Sequence, residues 1–438
     1  MILYNTFEAN TATLLLSLAT ALLAGLLLSR VVKIFKLPAV TAYLIAGILI
    51  GPCLLGSFGI PGLGIVKDEL SGLKILSELA LGFIAFAMGN EFRLSQLKKI
   101  GKSATIIGIF QAIFTTLVVD VALIGLHFII PEHFSIQAAL ILGAIATATA
   151  PAATLMVVKQ YKAKGPLTSL LLPVVALDDA VGLIVFAISF GVAKSLGTGN
   201  IDMVSIVVEP ILEIVLSLGL GVLLGLAFSL IEKIFHSRSK RMAVTVTFVM
   251  LAVGLSSLKF NIGSVHIGFS SLLTCMMLGT VFCNVCDFSE ELMARADRWT
   301  APVLILFFVI SGAELQFDIF TGVVILIGII YIIFRSLGKY FGANISARIT
   351  KESPNIIRYL GITLLPQAGV ALGMAMKAKE LGPEGAIISN ITLFAVLIYE
   401  IVGPFLTKVS LTKAGDIDPT GRKSLRGVHP EHKENTSN

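Results

Sequence analysis

The chain has 438 residues, 56% of them hydrophobic and 14% charged, with a mean hydropathy of +0.93. That balance leaves too little polar surface for a soluble domain of this length. Repeated apolar stretches of about 20 residues mark an all-α polytopic membrane protein. The formal net charge of +6 has a topological explanation, given below, so no nucleic-acid partner is invoked.

The segment Met1–Asn10 carries Glu8 and no Lys or Arg. That is the wrong charge for a cleavable signal, so the first apolar run is expected to stay. From there, thirteen transmembrane helices are predicted, at roughly 10–35, 37–52, 72–91, 102–128, 135–160, 165–194, 203–234, 240–258, 264–284, 298–313, 319–347, 354–376 and 386–411. Cys283-x-x-Cys286 stands alone at a helix end and reads as structural. Residues 1–414 are expected to form one transmembrane domain, and the polar stretch 415–438 a disordered cytoplasmic tail.

The basic residues set the orientation. With the N-terminus outside, one set of helix ends holds Arg30, Lys33, Arg93, Lys102, Lys162, Lys164, Lys233, Arg238, Arg241, Arg295, Arg298, Arg348 and Lys351, with more in the tail. The opposite ends hold only Lys67, Lys74, Lys194, Lys259, Lys377 and Lys379. Positive residues concentrate on the cytoplasmic side, so the C-terminus is expected inside a cell inner (plasma) membrane. Arg335 and Lys339 fit neither set: they lie within the eleventh helix, one turn apart on one face.

Two halves of the chain echo each other. Gly89-Asn90-Glu91-Phe92 closes the third helix, and Gly312-Ala313-Glu314-Leu315 closes the tenth. The fifth helix is interrupted at Ala146-Thr147-Ala148-Thr149-Ala150-Pro151, the twelfth at Leu364-Leu365-Pro366-Gln367-Ala368-Gly369. Each proline removes a backbone donor beside polar residues. Inverted repeats over about 10–194 and 240–411 follow, joined by a connector helix at 203–234. Paired broken helices in corresponding positions point to a transport site near the midplane.

Asp178 and Asp179 stand side by side in the apolar sixth helix, directly after the first break. Ionisable residues at membrane depth are functional candidates by default. Neighbours on a helix point about 100° apart, so the two acids are expected to divide the work. One faces the crossing of the broken helices and holds a proton or a small cation such as Na⁺. The other faces a basic residue of the eleventh helix, either Lys339 or Arg335. Competition of proton and cation for one carboxylate is sufficient for exchange, given alternating access. Thr149 is either a cation ligand or a cap of the broken backbone, and Gln367 divides the same way. Glu78, Asp120 and Glu209 lie toward the outer half and either line a funnel or face water. Glu400, deep in the thirteenth helix, is a candidate partner for Arg335.

The Asp178-Asp179 pair, the break before it, Gly338-Lys339-Tyr340-Phe341-Gly342 and Gly89-Asn90-Glu91-Phe92-Arg93-Leu94 resemble the monovalent cation/proton antiporters. They are similar to the Asp-Asp branch that includes the bacterial NapA-type sodium/proton antiporters, over about residues 5–412. The resemblance implies a homodimer in which the fourth to sixth and eleventh to thirteenth helices move against a dimerising panel. It implies Asp179 as principal carrier of ion and proton, Asp178 paired with Lys339, and no cofactor beyond the transported Na⁺ and H⁺. Two departures stand out. Some relatives carry an acid at the first break, where this chain has Ala150, and Arg335 is an extra base near Lys339.

The expected function is therefore a secondary antiporter, not an enzyme, exchanging Na⁺, or K⁺ in the same fold, for protons. A cation channel would need a re-entrant filter and a symmetric pore. An intramembrane aspartyl protease would need its two acids on different helices.

Overall fold

The computed structural model describes residues 11–35, 37–60, 62–97, 101–132, 134–197, 208–258, 260–262, 265–319 and 321–417. Fifteen helices carry the architecture. They are α1 (Thr11–Ile34), α2 (Ala39–Ile50), α3 (Lys67–Gly89), α4 (Lys102–Ile129), α5 (Ile136–Ile145), α6 (Pro151–Gln160), α7 (Pro166–Gly197) and α8 (Glu209–Ile234). The second half holds α9 (Arg238–Ser256), α10 (Ser271–Val285), α11 (Ser289–Ala313), α12 (Gly322–Ile349), α13 (Pro354–Thr363), α14 (Gly369–Ala378) and α15 (Pro383–Lys413). Ten helices of the described residues are long and apolar enough to cross a membrane. The predicted fifth and twelfth helices are each two half-helices, α5/α6 and α13/α14.

Three boundaries differ from the sequence reading, each for a local reason. α3 starts at Lys67 because the Glu69 carboxylate folds back to accept the Val66 N–H at 3.0 Å, closing the first turn. α10 starts late, at Ser271, because the preceding residues form an antiparallel ribbon of β1 (Phe260–Ile262) and β2 (Val265–Ile267). α11 starts early, at Ser289, because its charged first turns are anchored: both terminal nitrogens of Arg93 donate to Ser289 Oγ at 3.1 Å.

The inverted repeat shows in which helices touch. α3 packs on α10, and α11 packs on α2, the reciprocal pairing of the other half. Both seams are backbone on backbone. A Cβ at Gly89 would collide with the Met276 carbonyl, and one at Gly279 with the Phe86 carbonyl. At the second seam, Gly47 lies on Val309 and Gly312 on Leu44 in the same way. Helices α1–α3 and α8–α11 thus form one body. A second body is built on α4 crossing α12, with α5, α7 and α13–α15 packed around that crossing. The outward faces of α1 and α8 are rows of exposed residues such as Leu23, Leu27, Leu223 and Leu230, suited to hydrocarbon.

The start of the predicted tail is part of the fold. Asp416 and Ile417 are buried. One Asp416 carboxylate oxygen accepts the Thr168 N–H at 2.6 Å and its hydroxyl at 2.7 Å, capping the first turn of α7. Residues 418–438 lie outside the described residues.

A buried acid–base cluster where two broken helices cross

The first break spans residues 146–150 and the second 364–368. Neither proline interrupts a helix from within. Pro151 opens α6, where a missing N–H costs nothing, and Pro366 lies in the unwound stretch itself. The two stretches are bonded to each other: the Ala150 N–H donates to the Pro366 carbonyl at 2.8 Å. Gln367 Nε2 donates to the Ile145 carbonyl at 2.9 Å and to the Tyr331 hydroxyl at 3.0 Å. Gln367 therefore serves the broken backbone.

Unwinding leaves the carbonyls at the C-terminal ends of α5 and α13 without helical donors, and those ends carry partial negative charge. α12 supplies the donors. Arg335 donates through Nε to Ala146 O at 3.0 Å, and through its terminal nitrogens to Leu365 O at 2.8 Å and Ala148 O at 2.7 Å. Its guanidinium carbon lies 4.3 Å from the centre of the Tyr399 ring. One arginine thus clamps both breaks, as a planar multi-donor group can.

Lys339, one turn along α12, reaches the other side of the cluster. Its Nζ is 2.5 Å from Asp178 Oδ2 and 3.0 Å from Thr149 Oγ1, and it also donates to the Thr147 carbonyl. Asp178 accepts from the Thr149 hydroxyl at 2.5 Å and from Gln111 Nε2. Thr149 also has the Leu364 carbonyl 3.1 Å from its hydroxyl, and its N–H donates to Asp179 Oδ1 at 3.3 Å. It therefore links both acids and both breaks. Asp178, Asp179, Arg335 and Lys339 are all fully buried.

The sequence left open whether Lys339 or Arg335 meets Asp178; the ion pair falls to Lys339, and Arg335 goes to backbone carbonyls. The suggested Arg335–Glu400 pair is corrected. Arg335 has its donors committed to the three carbonyls, and neither Glu400 carboxyl oxygen has a hydrogen-bond partner. Gln111 and Tyr331 were missed. Gln111 had a signal, a lone amide inside an apolar helix. It reaches Asp178 because Gly108, one turn before it, lets α4 lie against Leu177 and Val174 of α7.

A cavity of about 1050 Å³ opens at the end of the bundle where α3 begins and α7 finishes. Its lining mixes Lys74, Glu78, Lys194, Glu314 and Lys379, and it reaches Leu81, Phe186 and Leu272. Phe186 is two helical turns from Asp179 on the same helix. Of the three predicted funnel acids, Glu78 lines this cavity. Asp120 does not; its carboxylate is pressed against Gly143 of α5. The Glu209 side chain lies outside the described residues.

Comparison with known proteins agrees with this architecture. Over 423 residues the chain is 24% identical to the K(+)/H(+) antiporter subunit KhtU of Bacillus subtilis, covering 92% of this chain and 93% of the relative. It is 22% identical over 400 residues to a Na(+)/H(+) antiporter of Enterococcus hirae, covering 89% and 96%. The fold matches the sodium proton antiporter MjNhaP1 of Methanocaldococcus jannaschii with a TM-score of 0.69 at 18% identity, over 91% of this chain and 97% of that one. The family model described as "Sodium/hydrogen exchanger, transmembrane" matches residues 18–413, which hold both breaks, the acid pair and both bases. With nine-tenths of its length inside that match, the chain belongs to the sodium/hydrogen exchanger family.

Proposed function

We propose that the protein is a secondary antiporter that exchanges cytoplasmic Na⁺ for external protons at Asp179. The observation that carries this reading is the fully buried Lys339–Asp178 pair beside Asp179 at the crossing of two broken helices. The pair holds Asp178 by charge and by the bonds from Thr149 and Gln111. Asp179 is left as the carboxylate that changes occupant. Carboxylate, hydroxyl and carbonyl oxygens suit a hard monovalent cation. Proton and cation neutralise the same charge, so Asp179 holds one or the other. A proton arriving from outside joins a carboxylate oxygen, crosses with it and leaves inside, and Na⁺ then takes its place for the return.

Alternating access supplies the two exposures. The sparse packing between the α1–α3/α8–α11 body and the α4–α7/α12–α15 body supports a sliding core on a fixed panel. In this reading the cavity that reaches Phe186 is the outer vestibule, the N-terminus is outside, the C-terminus is cytoplasmic, and the panel forms a homodimer in the cell membrane. K⁺ is the second reading, favoured by the likeness to KhtU along nearly the whole chain.

The deciding experiment is dye-monitored proton flux in everted vesicles. Na⁺, Li⁺ and K⁺ added in turn should collapse a preformed pH gradient, and the order of effectiveness ranks the cations. Asp179→Asn should abolish the response; transport that survives it would overturn the assignment.

A further inference from the structure

Glu400 lies just past the midpoint of α15, fully buried, and neither carboxyl oxygen has a hydrogen-bond partner. The backbone around it is unusual. Pro404, one turn on, has no N–H to give the Glu400 carbonyl, the bond a regular helix would make. Gly403 leans on the second break so closely that a Cβ there would lie 2.8 Å from the Pro366 ring. Tyr399, the preceding residue, carries Arg335 on its ring and donates to the Ile332 carbonyl at 2.7 Å. Glu400 therefore occupies the turn of α15 that rests on the transport site, outside that site's own bonding network.

Most of the ionisable groups on the elements packed against α15 have partners other than Glu400. On α12, Arg335 serves carbonyls, Lys339 serves Asp178, and Tyr331 meets Gln367; the Tyr340 ring meets Phe341 edge-on. On α13, Arg358 stacks on Tyr359; Lys377 of α14 pairs with Glu380, and Lys379 pairs with Glu314. α12 also carries the exposed Arg348, α2 contributes Tyr43, α6 contributes Lys159, whose side chain lies outside the described residues, and α5 contributes none. No ion pair among the described residues includes Glu400. A carboxylate in hydrocarbon with neither cation nor donor is far less stable than its protonated form.

Two further buried hydroxyls without protein partners lie toward the C-terminal end of α15. Thr407 is seven residues on, hence on the same helix face, and Thr154 is on α6, which packs against α15. They offer unpartnered hydroxyls between Glu400 and that end of the bundle.

We propose that Glu400 is a second proton-binding site, fed from the C-terminal end of α15 past Thr407. A proton joins one carboxyl oxygen there and leaves by the same route, independently of the cation. The site rests on proton-coupled exchange only for its effect on transport. Its protonation is a separate observable.

Two measurements on purified full-length protein test this. In infrared difference spectra at neutral pH, the wild type should show a protonated-carboxyl band that Glu400→Gln removes and that Asp179→Asn leaves in place. In proteoliposomes, Glu400→Gln should shift the pH dependence of exchange on the α15 C-terminal side, by about tenfold in rate at fixed pH for a one-unit shift. Gln matches the neutral acid in shape, so the fold should be kept. Thr407→Val should slow the deuterium shift of the Glu400 band. A band that persists in Glu400→Gln, or a pH profile identical to the wild type, would overturn the site. Wild-type deuterium exchange in Thr407→Val would overturn the route. Loss of the exchange reading alone, through active Asp179→Asn, leaves the infrared result standing.

Discussion

Lys339 and Asp178 form an ion pair of 2.5 Å in which both side chains are fully buried. Removing one member of such a pair strands the other charge, whereas removing both does not. Lys339→Ala is therefore expected to destabilise the protein by about 3–5 kcal/mol, and Lys339→Ala with Asp178→Asn to recover a large part of that loss. Thermal unfolding of the four proteins of the cycle in detergent gives the coupling. Additive single effects would mean that the pair is not energetically linked.

Arg335 holds carbonyls of both breaks, so its loss should damage the crossing rather than the acid pair. Lys cannot reproduce three donors in a planar fork. Arg335→Lys should cost on the order of 2 kcal/mol for each charged hydrogen bond lost and lower exchange at every pH alike. Arg335→Lys with wild-type stability and transport would show that the carbonyls need no clamp.

The glycine seams make a contrast between positions. Gly47→Ala and Gly279→Ala each place a methyl group into the facing backbone, and both should reduce the yield of folded protein. Gly125→Ala meets nothing within 4 Å and should be neutral or stabilising by up to about 1 kcal/mol. Size-exclusion profiles of the three variants from membranes decide this.

Cys53 is exposed at the cavity end, while Cys275, Cys283 and Cys286 are buried. A membrane-impermeant maleimide applied to intact cells should label the wild type once, and Cys53→Ser not at all. Labelling that requires everted vesicles would reverse the proposed orientation.

Asp416 caps α7, the helix that carries both acids. Asp416→Ala should cost about 1 kcal/mol, seen as a lower unfolding temperature, without changing which cation is preferred. An unchanged unfolding temperature would show that the cap adds nothing.

How much was legible beforehand depended on whether a residue breaks a local rule. Two adjacent acids in an apolar helix do so, as do prolines beside polar residues in two helices, and these led to the cluster. Arg335 was placed on the correct helix but given the wrong partner, because backbone carbonyls exposed by unwinding leave no mark in a sequence. Gln111 was overlooked because a single amide in α4 gains meaning only once Gly108 brings α7, and with it Asp178, onto α4. Asp416 was assigned to a tail on composition, whereas its one carboxylate supplies the bonds that the first turn of α7 lacks.

The Ala150–Pro366 hydrogen bond has a mechanical consequence. It staples the first unwound stretch to the second through main-chain atoms, so among substitutions at position 150 only proline deletes its donor. Arg335 and Gln367 add rivets across the same joint. The two half-helix pairs then behave as one hub, unable to open like separate doors on either side of the ion. In the proposed antiport, the motion is therefore expected to shear the packing outside that hub, with the acids carried along by it.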